Sequence, residues 1–471
     1  MADQLGSGPG AGRGTRHAVV IGGSIAGLLA ARALAEHAEQ VTVVERDRFP
    51  EEAEPRAGVP QGRHLHVLLE AGQRAVDQLL PGVVDELRAC GARRVGMPED
   101  VVQWQAGAWY RRTAATAYLL TGSRPLVEQV IRHRVLADRR IRAVPGTEAV
   151  GLAGDATRVS GVLVRERGAG RVEEPRLIAA DLVVDASGRG SRAPQWLAAL
   201  GAEPPREETL DTGLAYATRV YRNERHGDDT DGLGYYIVPN PGQTYGGVAL
   251  PIEGGRFLVT LSGLRGDEPP TDEAAFEEYA GRLPDPVLRN WLAKAEPVSA
   301  VHGFRSTANV RRRYDRRGRR PAGFLVTGDA LCTFNPIYGQ GMAVAAMTAV
   351  VLRDALADRR RTPTTLRVQR ALFRASRQAW DISAGADKKM PGAIGDAARV
   401  TAADRPADWY LSRVQERANG DPAVGAAFRS VLSLMEPVTA LFAPPVARAV
   451  LFGPAREAPK RPPMWRESDD S

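Results

Sequence analysis

The first regular pattern along the chain is an apolar run, His17–Ile21, that breaks at Gly22-Gly23-Ser24-Ile25-Ala26-Gly27, continues as an amphipathic segment and returns as a second apolar run, VTVV at 41–44. Short apolar runs bounded by turn residues read as buried strands, and apolar positions three and four apart read as one face of a helix. The segment therefore predicts strand, glycine-rich turn, helix, strand. Residues 1–16 before it are Gly-rich and polar without apolar periodicity, and are expected to form a disordered leader. Arg13 and Arg16 ahead of the apolar run imitate a secretory signal, but Arg32 interrupts the run and the second strand follows at once.

Farther on, a loop carrying Pro50, Pro55 and Pro60 leads to a predicted helix over 61–80, strands over 101–120 and a helix over 125–137. Alternating apolar positions punctuated by glycines from Ala143 to Val184 predict a small antiparallel meander. Residues 205–305 are strand-rich with a helical insert at 273–283; a strand, a Gly-rich turn and a long Ala-rich helix follow over 323–358, and the remainder reads as helical. No repeat of 20–50 residues is visible. The longest near-apolar stretch, Val431–Phe452, contains Glu436, Arg448 and three prolines, so a pair of short helices packed on the body is expected there, with contact to a bilayer or lipophilic substrate left open.

Composition narrows this picture. With 471 residues, 43% hydrophobic and 25% charged, the chain can bury a large core in two or three globular units. Lys+Arg 63 against Asp+Glu 56 leaves +7, a weak field over so large a surface, and the expectation is no nucleic-acid partner. The densest basic run, RRRYDRRGRR at 311–320, is expected to be a solvated loop, with contact to an NADPH phosphate as the minor reading. Cys90 and Cys332 form neither a disulfide framework nor a zinc cluster, which suits a reducing cytoplasm. His64 and His66 lack further ligands in reach along the chain, so no metal is expected.

Two segments carry chemistry. In the first, Gly22, Ser24, Ala26 and Gly27 occupy a dinucleotide fingerprint in which backbone N–H groups at a helix N-terminus approach a pyrophosphate, although Ser24 replaces the second glycine. Glu45, eighteen positions beyond Gly27 and followed by Arg46, ends the second strand, where a carboxylate meets the adenosine ribose. In the second, a strand delivers Gly328-Asp329, and Pro336, Gly339 and Gly341 then permit close backbone approach to a ligand before the helix begins at Met342.

With the DASGRGSR stretch at 185–192, these segments resemble the FAD-dependent monooxygenases of the para-hydroxybenzoate hydroxylase type from about His17 to Leu356. PQGRHLHVLL at 60–69, YATRVY, LPIEGGRFLVTLSG and FNPIYGQGM are similar, more narrowly, to actinobacterial polyether-pathway epoxidases. The resemblance implies an α/β chain: a glutathione-reductase-like FAD-binding domain, an inserted β-sheet substrate domain and a helical C-terminal region. FAD-domain parts at 17–92, 123–204 and 306–375 would alternate with substrate-domain parts at 93–122 and 205–305, before the helical region at 376–471. It assigns Asp329 to the ribityl and pyrophosphate, Gly339, Gln340, Gly341 and Met342 to the flavin pyrimidine, and Arg63 and Arg124 to the cofactor side. Where the family carries Asp-Gly this chain has Ser187-Gly188, with Asp185 two residues earlier on the cofactor side, a form also similar to flavin-dependent halogenases. The halogenase Trp-x-Trp-x-Ile-Pro motif is absent.

The function this implies is oxygen transfer to an alkene of a polyketide or terpenoid intermediate in secondary metabolism, using FAD, O2 and NAD(P)H. No second G-x-G-x-x-G unit follows a strand, so NAD(P)H is expected to act transiently at the flavin domain or through a separate flavin reductase. The alternatives are a flavin-linked reductase or dehydrogenase acting on an isoprenoid-like chain, and an aromatic hydroxylase. No protein nucleophile is required, and none is assigned. Trp104, Tyr235, Tyr236, Phe334 and Pro336 are the candidate walls of a lipophilic substrate site.

Overall fold

In the computed structural model, which describes residues 15–168, 174–223, 232–318, 320–358, 360, 362–402, 404–454 and 456–467, the two apolar runs near the start of the chain pair directly. Thr15–Ile21 lies parallel to Ala38–Val44 on one side and to Leu182–Asp185 on the other. Ile141–Val144 and Phe324–Val326 extend the pairing to a five-stranded parallel sheet. Such a sheet needs cover on both faces, and Val19, Val20, Val41, Val43, Val183 and Val184 have no accessible surface. Helices Ile25–Leu34, Arg124–Leu136 and Gly341–Ala357 pack together beside it, and the antiparallel meander Thr147–Gly154, Val159–Glu166 and Arg176–Ala179 packs against Leu182–Asp185. The expected leader lies outside the described residues except for Thr15 and Arg16, which already belong to the first strand.

Several expected elements are subdivided by tertiary pairing. The run from 143 to 184 is not one meander, because its two ends join the parallel sheet. The helix expected over 61–80 covers only Glu70–Leu79; ahead of it, Pro60–Arg63 makes a single 3-10 turn and Val67–Leu68 pairs with Ala117–Thr121. Ladder hydrogen bonds from a neighbouring strand outweigh local helix preference at these positions.

A second, mostly antiparallel sheet of eight strands carries Ala215–Arg222, Arg256–Gly263, Tyr245–Pro251 and Gly234–Ile237 side by side. Val101–Gln105 joins its edge by a parallel pairing with Gly234–Ile237, so the segment near residue 100 reaches the later strands across a long sequence separation. The helical insert continues past 283 into a second helix, Val287–Leu292.

The basic run is a solvated loop only in its second part, where Arg316 and Arg317 are exposed. Asn309–Arg312 is a strand paired with Glu207–Leu210, which sets Arg312 opposite Glu207 and Arg311 opposite Glu208. Arg311 and Arg313 both reach Glu208, at 2.6 and 2.8 Å, and Arg311 also stacks over Trp380. Cross-strand charge pairing accounts for these cations.

The C-terminal helices, among them Arg377–Asp387, Arg405–Gly420 and Pro422–Leu432, close over the second sheet, and the stretch from Val438 supplies two short pieces, Val438–Phe442 and Pro444–Phe452. Among the described residues no helix is long and apolar enough to cross a membrane. The chain end is tied back by buried Arg112, whose guanidinium donates to Glu99 O at 2.7 Å, Pro463 O at 3.2 Å and Met464 O. A hydrogen bond to a charged group contributes about 1.5–3 kcal/mol net, and a buried carbonyl left without its donor costs about 1–3 kcal/mol. Arg112→Met is therefore expected to lower unfolding stability by about 2–4 kcal/mol in urea titration, with segment 456–467 becoming protease-sensitive.

Candidate functional site

The site begins where the first strand ends. Gly22 has φ of +102°, and a Cβ there would lie 2.5 Å from Ala186 O; at Gly27 it would lie 1.8 Å from Gly22 O. Only glycine allows the chain to turn this tightly beneath the helix. Helix Ile25–Leu34 starts at Ser24 without a side-chain cap and without an acidic residue in its first turn, so its N–H groups and positive dipole end remain available to an anion. The second glycine turn meets it directly: Gly328 has φ of +59°, and a Cβ there would lie 2.7 Å from Ala26 Cβ. Ala26 thus acts in packing, holding the Gly328-Asp329 turn against the first helix.

A buried ion cluster surrounds this junction. Glu45 accepts from Gly23 N at 2.7 Å and Asp47 N at 2.9 Å, and pairs with Arg56 at 3.1 Å. Arg56 also bridges Asp47 at 3.0 Å and Glu128 at 2.7 Å. Glu128 accepts from the Ser24 hydroxyl at 2.7 Å, and Arg124 donates to that same hydroxyl at 2.8 Å. Burial lowers the Arg124 pKa, opposed by Glu128 and Asp329; burial raises that of Asp329, opposed by Arg189, Arg124 and Arg312.

The expected cofactor residues separate into groups. Gly22, Ser24, Ala26, Gly27, Glu45, Arg124 and Asp329 converge on this junction. Arg46 is exposed and donates to Gly58 O at 3.3 Å, and Arg63 is exposed, its charge acting on His64 and His302 rather than on the cluster. Asp185 is fully buried and closes its own turn, accepting from Ser187 N at 2.9 Å and from the Ser191 hydroxyl. Each of its carboxylate oxygens thus holds one donor of the Ser187–Ser191 turn. Arg56, Glu128 and Arg189 went unassigned in the sequence reading. Glu128 had a visible signal, four positions after Arg124 on one helix face, and Arg189 lies inside DASGRGSR; Arg56 sits in a proline-rich loop whose return to the sheet has no local signature.

Gly339, Gln340, Gly341 and Met342 form the turn into helix Gly341–Ala357, again with no acidic residue in the first turn. Gly339 has φ of +65° and lies against Val67, and a Cβ on Gly341 would project into open space. Beyond this turn lies a cavity of about 610 Å³, lined by Pro336–Gln340, by the second sheet and by the C-terminal helices. Tyr236 and Pro336 line it, and Tyr236 donates from its hydroxyl to Ile337 O at 3.1 Å.

Trp104, Tyr235 and Phe334 do not reach the cavity, contrary to expectation. Strand alternation is the reason for the first two. Gln103 and Gln105 face the cavity, while Trp104 points the other way, donating to Gln243 and meeting Trp109 edge-on; likewise Tyr236 faces in and Tyr235 packs with Trp291. Phe334 belongs to the core beneath the parallel sheet. Among the described residues no cluster of His, Cys, Asp and Glu could hold a metal ion.

The residues fit a bound dinucleotide. Arg56 Nη2, Arg124 Nε and Gln340 Oε1 are buried without a hydrogen-bond partner among the described residues. Buried donors and acceptors of this kind are rare without a ligand or water to meet them. Arg56 pairs with Glu45 and Arg124 donates to Ser24 at the first glycine turn, Gln340 stands between Gly339 and Gly341, and among the described residues the Asp329 carboxylate has no hydrogen bond. FAD would be held at its pyrophosphate by the N-terminus of helix Ile25–Leu34 with Arg124, at its ribose by Glu45, and at its flavin end by the Gly339–Met342 turn.

Residues 15–363 match the FAD binding domain family. The chain belongs to that family. Protein Rv3254 of Mycobacterium tuberculosis is 35% identical over 449 residues, covering 89% of this chain and 90% of that protein. Kynurenine 3-monooxygenase of Xanthomonas axonopodis pv. citri is 28% identical over 374 residues, 72% of each chain. The solved structure of the flavin-dependent brominase Bmp2 superposes with a TM-score of 0.63 at 14% identity, over 88% of this chain and 93% of that one. The fold is that of the FAD-dependent monooxygenases of the para-hydroxybenzoate hydroxylase type, and the family makes the protein a flavin-dependent oxidoreductase.

Two buried groups, one in the cradle and one outside it, carry tests in this chain. Removing the Arg56 cation leaves Glu45, Asp47 and Glu128 facing one another, so Arg56→Met is expected to weaken FAD retention at least about tenfold, measured by flavin release on dilution. His64 is buried against Tyr216 and Phe304, its Nδ1 lies 2.8 Å from Thr218 Oγ1, and burial, with His302 and Arg63 nearby, pushes its pKa down to about 4. The unfolded chain takes up the proton near pH 6.5, so stability is full above that value and falls as pH drops toward the folded pKa. The loss by pH 4 amounts to about 3 kcal/mol, and His64→Gln should flatten the dependence of thermal unfolding on pH over that window.

Proposed function

We propose that the protein is an FAD-dependent monooxygenase that consumes NAD(P)H and O2 to epoxidise an alkene in a polyketide or terpenoid intermediate. In this reading one oxygen atom of O2 enters the alkene, and the other leaves as water with two electrons and a proton from NAD(P)H and a further proton from solvent. The observation that carries it is the cavity: a predominantly apolar chamber that shares the Pro336–Gln340 wall with the cofactor-side turn. Bound FAD would supply the reductive activation of O2.

The chain's own residues have simpler tasks. Leu65, Met97, Val248 and Leu250 present apolar surface that excludes water and holds a lipophilic body. The backbone N–H groups at the start of helix Gly341–Ala357, with no acidic residue in the first turn, would offset negative charge at the flavin end of bound FAD. Tyr338, in the cavity wall, donates its hydroxyl to buried Asp387 at 2.7 Å, which also accepts from Asn309 and Asn335. That network fixes the turn rather than supplying a nucleophile. An epoxidation needs none.

The absence of the Trp-x-Trp-x-Ile-Pro motif supports oxygen transfer over halogenation, even though a brominase shares the fold. Incubating the FAD-loaded protein with a reductase, NADPH, isotopically heavy O2 and a panel of lipophilic polyenes should yield a product bearing one heavy oxygen atom. Reduction of the alkene without oxygen incorporation would replace this reading by that of a flavin-linked reductase, and oxygenation confined to aromatic rings would make the protein a hydroxylase.

A further inference from the structure

One cation in the cavity wall has no counter-charge. Arg429, on helix Pro422–Leu432, is only 5% exposed yet lines the cavity. Its Nε donates to Thr116 Oγ1 at 2.8 Å and its guanidinium lies 5.7 Å from the Tyr110 ring centroid. Neither Nη group has a hydrogen bond or an ion pair with any described residue. The other buried arginines differ: Arg124, Arg219 and Arg312 meet carboxylates, and Arg112 and Arg132 meet backbone carbonyls.

An unpaired buried charge is costly, and a contact with one aromatic ring such as Tyr110 offsets only part of that cost. Burial pushes the Arg429 pKa down to about 10, so the group keeps its charge at neutral pH. Both Nη groups lie beside Gly425 on the same helix, and a planar fork of donors in the wall of a largely apolar chamber is complementary to a carboxylate. The rest of the wall argues against a polyanion: Lys389 already lies 3.6 Å from Asp408, and Asp381 and Glu416 also line the cavity.

We propose that Arg429 anchors a single carboxylate on the substrate, whose elongated apolar body then extends along the cavity to the Pro336–Gln340 wall. The proposal rests on the cavity being the substrate site and adds the substrate's class, a lipophilic carboxylic acid. Arg429 is a specificity residue here, set on the helical C-terminal region rather than on the sheet.

The test uses the FAD-loaded protein and three probes: oleate, methyl oleate and oleyl phosphate, with affinities read by equilibrium dialysis. Wild type should bind oleate at least about tenfold more tightly than the ester, as expected for a charge-assisted two-pronged contact. Arg429→Met should bring oleate to the level of the ester and leave ester binding unchanged, while Arg429→Lys should keep part of the preference. Equal binding of oleate and ester by wild type, or a preference that survives in Arg429→Met, would overturn the anchor while leaving the apolar cavity as the substrate site. Tighter binding of oleyl phosphate than oleate would overturn the carboxylate assignment. Oleate binding that persists in a cavity-filling Val248→Trp variant, or no binding of either lipid by wild type, would overturn the cavity as the site and the anchor with it. Without ligand, Arg429→Met should unfold at the same temperature as wild type or higher; a marked decrease would assign the guanidinium to fold support and overturn the proposal.

Discussion

The close approach of two backbone turns at the end of the parallel sheet is the constraint on which the other features depend. Gly22 turns against Ala186 O, Gly27 sits beneath Gly22 O, and Gly328 lies against Ala26. Strands far apart in sequence therefore end within one small volume, and the first helix starts inside it. A side chain at any of those glycines would separate the strand ends and withdraw the helix N-terminus from its ligand. The open end of the helix, the convergence of Arg124 and Asp329, and the entry into the Gly339–Met342 turn all follow from this packing.

Charge at the junction is arranged by the same economy of space. Three carboxylates, Glu45, Asp47 and Glu128, surround one guanidinium, Arg56, in a region with little access to water. Each acid would disfavour the others if alone, and the cation makes the set tolerable. Hydrogen bonds from Gly23 N and Asp47 N to Glu45 leave that carboxylate further acceptor capacity, as ribose hydroxyls require. In the densest basic run, Arg311, Arg312 and Arg313 are matched by Glu207 and Glu208 on the adjacent strand, so its first three cations add little to the surface field.

What was legible in the sequence was local: a strand that ends in glycines, a helix that begins there, an acid at the end of the next strand. Those patterns arise from contacts a few residues apart, and they place Gly22, Gly27 and Glu45 without further information. Arg56 and Arg189 act through contacts that cross the fold, and Arg189 donates to Ala308 O from more than a hundred positions away. The substrate walls failed for a sharper reason. Adjacent residues on a strand face opposite sides, so Tyr235 and Tyr236 carry the same chemistry and only register decides which one lines the cavity. Composition marks both, and only the pairing of Gly234–Ile237 with Val101–Gln105 and Tyr245–Pro251 separates them.

The C-terminal helices are therefore part of the site rather than a lid laid over it. Asp387, at the end of helix Arg377–Asp387, is buried with Asn309, Asn335 and Tyr338 as donors, so a helix wall, a sheet strand and the turn before Gly339 share one carboxylate. Burial raises the Asp387 pKa and those hydrogen bonds oppose it. Loss of any one donor leaves a buried acceptor short of partners, which costs more than the bond itself contributes. The cavity wall and the turn before Gly339 are thus joined through one buried carboxylate, because Tyr338 in the wall and Asn335 at the start of the turn both donate to Asp387 on the C-terminal helix.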